Sequence, residues 1–476
     1  MPRHREQPAS LLRDWGRPCW EPRHHNVANF QTKLEPPATR KAQITATYNN
    51  PGPKHTCATS DGDAISESGV TARGLLGVLT LVSFFNYLDR MSLAVLIEPI
   101  KRDLSLSDTQ VGLVTGLAFS LFYAILGIPM GRLADRTNKG RLLAACLALW
   151  SAMTAVSGAA TSFAMLFAAR MAVGVGEAGC MPTSFAIIAA RFPRERRPLA
   201  ISIFQSGGLF GIALGMFGAG LIGQILGWRA ALGLIGAAGL PVALIVALTL
   251  KRDENHVAKP APKPAIVDIA TLLSRPAFVH VILGISFASF ATYGIIQWLA
   301  AFFVRSHGVS LAQIGLFSGL TTGVGGIVGT LTGGTLAGRL IRRQPQWDLW
   351  LPAVAYAASA PLFVGAVLSP SVTIAFAFNF LATTVAASAG GVALAAVQRF
   401  TEPERRATAN ALMLMISAII GVGLGPIVVG VASDRMRPFF GQESLRWALT
   451  GSTVMFLWSS THFLLAARHA ARDGMS

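Results

Sequence analysis

From Gly74 onward the hydrophobic residues follow neither the alternating pattern of a half-buried strand nor the one-sided stripe of a soluble amphipathic helix. They run almost unbroken for some twenty residues at a time, and the polar and charged residues collect in the short gaps between runs. A bilayer core of about 30 Å takes roughly 20 helical residues, so each run reads as a membrane-crossing helix, or span. Spans begin near Gly74, Thr109, Arg141, Ala164, Leu199, Trp228, Phe278, Leu311, Leu349, Val372, Ala407 and Trp447. The pattern predicts an all-α polytopic membrane protein with twelve transmembrane helices. The first run outlasts a signal-peptide core, so it is expected to stay in the membrane.

Basic residues gather in the gaps after the even-numbered spans. These hold Arg136, Lys139 and Arg141; Arg191, Arg194, Arg196 and Arg197; Lys251, Arg252, Lys259 and Lys263; Arg339, Arg342 and Arg343; and Arg399, Arg405 and Arg406. The alternate gaps hold fewer, among them Lys101 and Arg102, Arg229, Arg305, and Arg435 with Arg437. Short cytoplasmic loops accumulate Lys and Arg, so the bias places both termini in the cytoplasm. The expected location is a bacterial inner (plasma) membrane.

The chain divides at its longest internal connection. Residues 1–72 form a basic tail expected to be disordered, with Arg3, Arg5, Arg13, Arg17, Arg23, Lys33, Arg40 and Lys41 and no sustained periodicity; no function is assigned to it. Residues 73–250 make a first six-helix bundle, 251–276 a cytoplasmic linker, 277–468 a second six-helix bundle and 469–476 a cytoplasmic tail. Within the linker Ile266, Ile269, Ala270 and Leu273 fall at helical spacing, which suits a short helix on the membrane surface. Two halves of six spans suit a transporter built from related repeats.

Composition agrees. Of 476 residues 52% are hydrophobic and 13% charged, against about 25% charged in soluble domains. The formal net charge of +17 does not point to nucleic acid, because the basic residues lie between apolar runs and not on one folded face. Cys19, Cys57, Cys146 and Cys180 are scattered, with no CxxC pair and no zinc-type histidine spacing. No metal, cofactor or nucleic acid is expected.

Small residues recur every fourth position in span 2 (Gly112, Gly116, Ser120, Ala124) and span 5 (Gly207, Gly211, Gly215, Ala219, Gly223). They recur again six spans later, in span 8 (Thr321, Gly325, Gly329, Gly333, Ala337) and span 11 (Ser417, Gly421, Gly425). Such ridges let helix backbones approach closely. Their symmetric placement predicts that these four helices, through these ridges, form the contact between the halves.

Charges inside the runs carry the candidate chemistry. Span 1 contains Asn86, Tyr87, Asp89 and Arg90, with Asp89 about 22 Å from the cytoplasmic edge at ~1.5 Å per residue. Span 4 runs the other way and places Arg170 about 9 Å, and Glu177 about 20 Å, from the outer edge by the same rise. Arg170 and Glu177 are two turns apart, hence on one face. An intramembrane charge costs at least ~2.5 kcal/mol and marks a pathway or a partner. Asp89, Arg90, Arg170 and Glu177 are therefore the candidate ion-pair and proton-coupling set, with Glu177 exchanging the proton and Arg170 pairing alternately with Asp89 and Glu177. A static polar cluster is the alternative. Gly174, Gly176 and Gly179 match the dinucleotide pattern GxGxxG, but inside one apolar span they read as packing glycines.

The stretch GRLADRTNKGR, from Gly131 to Arg141, resembles the loop signature of the major facilitator superfamily. RMAVGVGEA, from Arg170 to Ala178, is similar to that family's fourth-helix motif, and GVGLGP ends at Pro426 in a related position. The resemblance implies a cytoplasmic gate motif made by Gly131, Asp135, Arg136, Lys139 and Arg141. The copy after span 8, GGTLAGRLIRR, has Gly338 where the first has Asp135, so the second half is expected to lack the latch aspartate. Span 5 lacks the proline usual in the family's exchangers. NYLDR with GEA resembles the Spinster-like branch, which implies an amphiphilic substrate such as a lysophospholipid or sphingolipid. A monomer working by alternating access is expected.

Tyr123, Gln205, Tyr293, Gln297 and Trp298 are the candidate cavity residues, with Thr183 and Asn379 beside them. A facilitator of organic acids, sugars or drugs without proton coupling is the alternative transporter. A membrane enzyme would need convergent His, Asp, Glu or Cys, whereas His280, His307 and His462 stand apart without carboxylates at helical spacing. A channel would need a filter or a ring of like charge.

Overall fold

The computed structural model describes residues 72–193, 195–250, 266–402 and 405–472. The basic tail, Arg194, the linker cations Lys251 to Lys263 and residues 473–476 lie outside them. Among the described residues all regular structure is helical, with no strand. Ten segments are long and apolar enough to cross a membrane, and two of these, of 53 and 65 residues, are each long enough to cross twice.

A straight 53-residue helix would be about 80 Å long, more than twice the hydrocarbon core. The segment Arg197–Thr249 instead breaks at Gly227, at φ 83. The last segment breaks at Gly441, at φ 54. Both lie in the left-handed region that favours glycine, and each glycine turns one apolar stretch into two antiparallel crossings. Twelve spans result: span 1, Ala72–Asp103; span 2, 108–136; span 3, Lys139–Ser157; span 4, Phe163–Arg191; spans 5 and 6, 197–226 and 228–249; span 7, Pro276–His307; span 8, Leu311–Ile341; span 9, Trp347–Leu368; span 10, Val372–Arg399; span 11, 406–440; and span 12, 444–472. Between the halves, Ile266–Leu273 is helical, with Leu272 fully buried. Beside it Arg275 donates to the carbonyl of Phe400 and pairs with Glu402, a bond that holds the Glu402 carboxyl below its usual range.

The halves meet through spans 2 and 11 and through spans 5 and 8, the four helices expected. A Cβ on Gly112 would lie 2.7 Å from the carbonyl oxygen of Pro426, and one on Gly116 would strike that of Gly423. Across the other pair, a Cβ on Gly315 or Gly319 would lie 2.5 Å from the carbonyl oxygen of Met216 or Ala213. These contacts all sit toward the end of the bundle away from the termini. Toward the termini end the helices diverge: a Cβ on Gly127, Gly334 or Gly338 would meet nothing within 4 Å.

The ridges themselves need correction. Only that of span 2 lies on the interface. Gly207, Gly211 and Gly215 pack on Thr80, Phe84 and Leu88 of span 1; Gly329 and Gly333 on Thr384 and Ser388 of span 10; and Gly421 and Gly425 on Ser289 and Phe290 of span 7. A four-residue repeat encodes that a helix face is closely approached, but not by which neighbour. The faces of spans 5 and 8 that do cross are those of Ala213 and Gly220, and of Gly315 and Gly319. Spans 2, 8 and 11 each contain a π-helical stretch, Leu113–Leu117, Thr321–Gly325 and Ala418–Leu424. Such local unwinding lets a long helix bend where it is needed.

Candidate functional site

Span 1 and span 4 bring their charges together inside the first half. Asp89 and Glu177 are 1% and 0% exposed, and Arg90 and Arg170 are buried with them. Glu177 is the last residue but one of the helical segment Phe163–Ala178, and the span resumes at Cys180 after Gly179. A Cβ on Gly174 would lie 2.6 Å from the carbonyl oxygen of Phe119, and one on Gly176 2.9 Å from the amide nitrogen of Trp150. The glycines that mimic a dinucleotide motif thus press span 4 onto spans 2 and 3, and in doing so bring Glu177 to span 1.

The partner of Glu177 is Arg90. Arg90 donates to one oxygen, Oε2, through Nε at 3.1 Å and Nη2 at 2.5 Å. The other oxygen, Oε1, is buried without a hydrogen bond to the described residues. The Arg90 guanidinium is also 4.5 Å from the Phe119 ring centroid, 5.1 Å from Tyr123 and 5.3 Å from Tyr87. These ring faces attract a cation where water is excluded.

Asp89 sits apart from this pair. Its Oδ2 accepts from Thr154 at 3.2 Å, and its Oδ1 is buried without a partner. Arg170 pairs with neither carboxylate in this state; its Nε is buried without a hydrogen bond, and its guanidinium lies 6.0 Å from the Phe119 ring. The exchange of Arg170 between Asp89 and Glu177 expected from their heights is therefore not the arrangement seen: Arg90, one residue along span 1, takes the place beside Glu177. The set is neutral only while all four groups are ionised, so a proton on Glu177 would leave Arg90 unpaired in an apolar setting. That is the chemistry the arrangement permits.

Of the residues expected to form a gate, Gly131 and Asp135 make no close contact with the second half. The nearest atom to a Cβ on Gly131 would be the Pro182 Cβ, at 3.7 Å, and Asp135 makes no hydrogen bond or ion pair among the described residues. Arg136 is exposed, while Asn138 caps span 3 by accepting from the Arg141 amide at 2.8 Å. Lys139 opens the same helix.

The cavity candidates divide. Tyr123 stacks on Phe119 at 5.3 Å and faces Arg90. Tyr293 is half-buried, and Gln205 is exposed on span 5. Gln297, Thr183 and Asn379 are buried with unpartnered polar atoms. Trp298 is a correction: it is 0% exposed, and its indole donates to the carbonyl of Pro426 at 2.9 Å. It ties span 7 to span 11 and lines no open space. The histidines also differ from expectation. His280 and His462 meet Nδ1 to Nδ1 at 2.9 Å, and His280 stacks on His469, with no carboxylate in the group.

Sequence reasoning missed the ion cluster at the closed end, made by Glu98, Lys101, Asp108, Arg305 and Asp434. In the sequence its cations look like ordinary loop charge. The available signal was Glu98 inside an apolar run, and the spacing Gly430-x-x-x-Asp434-Arg435, which repeats that of Gly131-x-x-x-Asp135-Arg136.

Two pseudo-repeated six-helix halves, meeting through paired glycine-rich helices around buried charge, define a polytopic membrane transporter. Residues 79–426 match the family model described as Major Facilitator Superfamily, and the chain belongs to that superfamily, as a Spinster-like member. It is 37% identical over 404 residues to an MFS-type efflux pump of Mycolicibacterium smegmatis, covering 84% of this chain and 93% of that protein. It is 27% identical over 387 residues to human protein spinster homolog 1, covering 76% of this chain and 73% of the other. A solved bacterial homolog of the human lysosomal transporter Spinster, in an inward-facing and unoccupied conformation, superposes with TM-score 0.76 at 29% identity, over 84% of this chain and 97% of that one.

Proposed function

We propose that this transporter is proton-coupled and secondary active, works by alternating access as a monomer, and moves an amphiphile such as a lysophospholipid or sphingolipid. The observation that carries the coupling is the buried Arg90–Glu177 pair, in which one carboxylate oxygen is engaged and the other is free. The free oxygen leaves a place for a proton on the carboxyl, while the engaged oxygen ties it to the one cation whose release a proton would bring about. Protonation of Glu177 releases Arg90, and re-ionisation draws span 1 and span 4 back together.

The amphiphilic substrate is what the resemblance of NYLDR and GEA to the Spinster-like branch implies, and export is supported by the relative named as an efflux pump. The basic residues of the even-numbered gaps support a cytoplasmic position for both termini, and so an inward-facing state here. Reconstituted transport with and without a pH gradient tests the reading, with lysophospholipids set against sugars, organic acids and drugs. Movement that ignores the gradient overturns coupling and leaves facilitated transport. Movement of sugars or organic acids alone overturns the amphiphile.

A further inference from the structure

The end of the molecule away from the termini is closed by charge as well as by glycine. Arg305 of span 7 donates through Nε to Glu98 of span 1 at 2.7 Å, and through Nη1 and Nη2 to Asp108 at the start of span 2, at 2.9 and 2.8 Å. Lys101 pairs with the same Asp108, and the Ser433 hydroxyl of span 11 donates to it at 2.7 Å. Every one of these bonds except that of Lys101 joins one half to the other.

Asp434 completes the closure in a different way. The start of span 2 leaves backbone amides that need acceptors. Ser107 and Gln110 satisfy two of them by a reciprocal capping box. The amides of Asp108 and Thr109 remain, and both are taken from the opposite half: Asp434 Oδ1 accepts from the first at 3.1 Å and Oδ2 from the second at 2.7 Å, with the Thr109 hydroxyl also donating at 2.7 Å. A carboxylate there also meets the positive end of the helix dipole. Gly430, one turn earlier, allows the approach, since a Cβ on it would strike the carbonyl oxygen of Asp108. The amino end of span 2 is therefore fully capped only while the two halves are together.

We infer that Asp434, with Arg305, is a latch that holds this end shut and is released when the transport path opens there; this rests on the alternating-access reading above. Spans 2 and 11 are antiparallel neighbours, so each ends beside the start of the other. Each carries Gly-x-x-x-Asp-Arg at its own far end, Gly131 to Arg136 on span 2 and Gly430 to Arg435 on span 11. The two copies belong to opposite ends of the bundle: in the state seen here Asp434 is engaged and Asp135 is not. The second half thus has a latch aspartate after all, at the end of its fifth helix and not after its second. A polar cavity of about 440 Å³, lined by Lys101, Arg305, Arg437 and Gln442 among others, opens beside the network. Water entering it can rehydrate the separating charges, which keeps the latch reversible.

Amide hydrogen exchange of the full chain in lipid nanodiscs tests this without added labels. In Asp434→Ala, peptides covering 106–112 are expected to exchange at least tenfold faster than in the wild type, while those covering 131–141 slow. Asp434→Glu, which keeps a carboxylate, is expected to restore most of the protection. Unchanged exchange at 106–112, or a uniform rise throughout the bundle, overturns the latch. Opening at 106–112 without slowing at 131–141 is what the loss of two amide acceptors alone gives, and it also overturns the latch. Because the readout is exchange and not transport, a failed latch leaves the coupling role of Glu177 standing, and a failed coupling role leaves this exchange pattern in place.

Discussion

Arg90 holds Glu177 by a single carboxylate oxygen, the two donors of its guanidinium converging on Oε2 while Oε1 stays buried and unbonded. Two groups so placed can be uncoupled by one proton, without moving any other charge. Glu177→Gln is the mimic of that protonated state. The ion pair is lost, but a neutral oxygen within reach of Arg90 and an unchanged side-chain volume remain, so the variant is expected to fold and to purify as the wild type does. Transport driven by a pH gradient is expected to fall at least tenfold in proteoliposomes, with substrate binding retained. Arg90→Ala is expected to do worse, because removing one partner of a buried pair strands the other, at about 3–5 kcal/mol. A lowered melting temperature in Arg90→Ala, and not in Glu177→Gln, is the expected contrast, and full gradient-driven transport by Glu177→Gln would refute the assignment.

The contact of span 2 with span 11 makes two glycines of one helix behave oppositely. A Cβ on Gly116 would strike the backbone carbonyl of Gly423, an atom that cannot swing aside, whereas one on Gly127 meets nothing within 4 Å. Gly116→Ala is expected to push the halves apart at the closed end. Gly127→Ala is expected to be neutral or to stabilise by about 0.5–1 kcal/mol through helix propensity alone. Thermal unfolding in detergent and transport in liposomes check both. Equal behaviour of the two variants would remove the glycine contact as a determinant of the closed state.

The helices were legible because each apolar run must bury its length in lipid, and length is written directly in the sequence. Gly227 and Gly441 were invisible as turn formers among 48 glycines, yet Arg229 and the polar run after Ser433 betrayed the gaps they create. The intramembrane charges were equally legible, since cost alone marks Asp89, Arg90, Arg170 and Glu177. Their pairing was not. Height along a helix put Asp89 level with Arg170, but the rotation of span 1 about its own axis decides which of Asp89 and Arg90 points at span 4, and that rotation follows from the close approach of Gly207, Gly211 and Gly215 to span 1. The same limit explains the ridges, whose spacing names a face and not its neighbour. The ion cluster at the closed end escaped because Glu98, Asp108, Arg305 and Asp434 are far apart in the chain and only the closing of the two halves assembles them.

Trp298 illustrates how a cavity residue and an interface residue look alike in sequence. Its ring is fully buried, and its indole nitrogen donates to the carbonyl of Pro426, one of the atoms that also crowds Gly112. Trp298→Phe keeps most of the packing and removes the donor, while the Pro426 carbonyl stays in the ladder of the helix Gly425–Phe440, so the loss is that of one hydrogen bond, about 0.5–1.5 kcal/mol. The expected outcome is a lower melting temperature with the relative rates for different substrates unchanged. An altered substrate preference with unaltered stability would return Trp298 to the cavity wall.

Arg305 carries the largest share of the closed end, with three donors placed on two carboxylates and its own side chain 6% exposed. Arg305→Gln removes the charge and leaves Glu98 and Asp108 facing each other without their common cation, a loss on the order of 3–5 kcal/mol for a buried pair. Arg305→Lys keeps the charge but replaces a planar fork by a point donor, which cannot bridge both carboxylates in the same way. The expected order of melting temperature is therefore wild type above Arg305→Lys above Arg305→Gln. Lys101 remains paired with Asp108 in both variants, and Glu98 keeps only its bond from the exposed Arg102, so Glu98→Gln in the Arg305→Gln background is expected to recover part of the loss by removing a buried carboxylate that has lost its buried cation. Recovery in that double variant separates electrostatic stranding from lost packing, because packing alone would leave the double variant no more stable than Arg305→Gln.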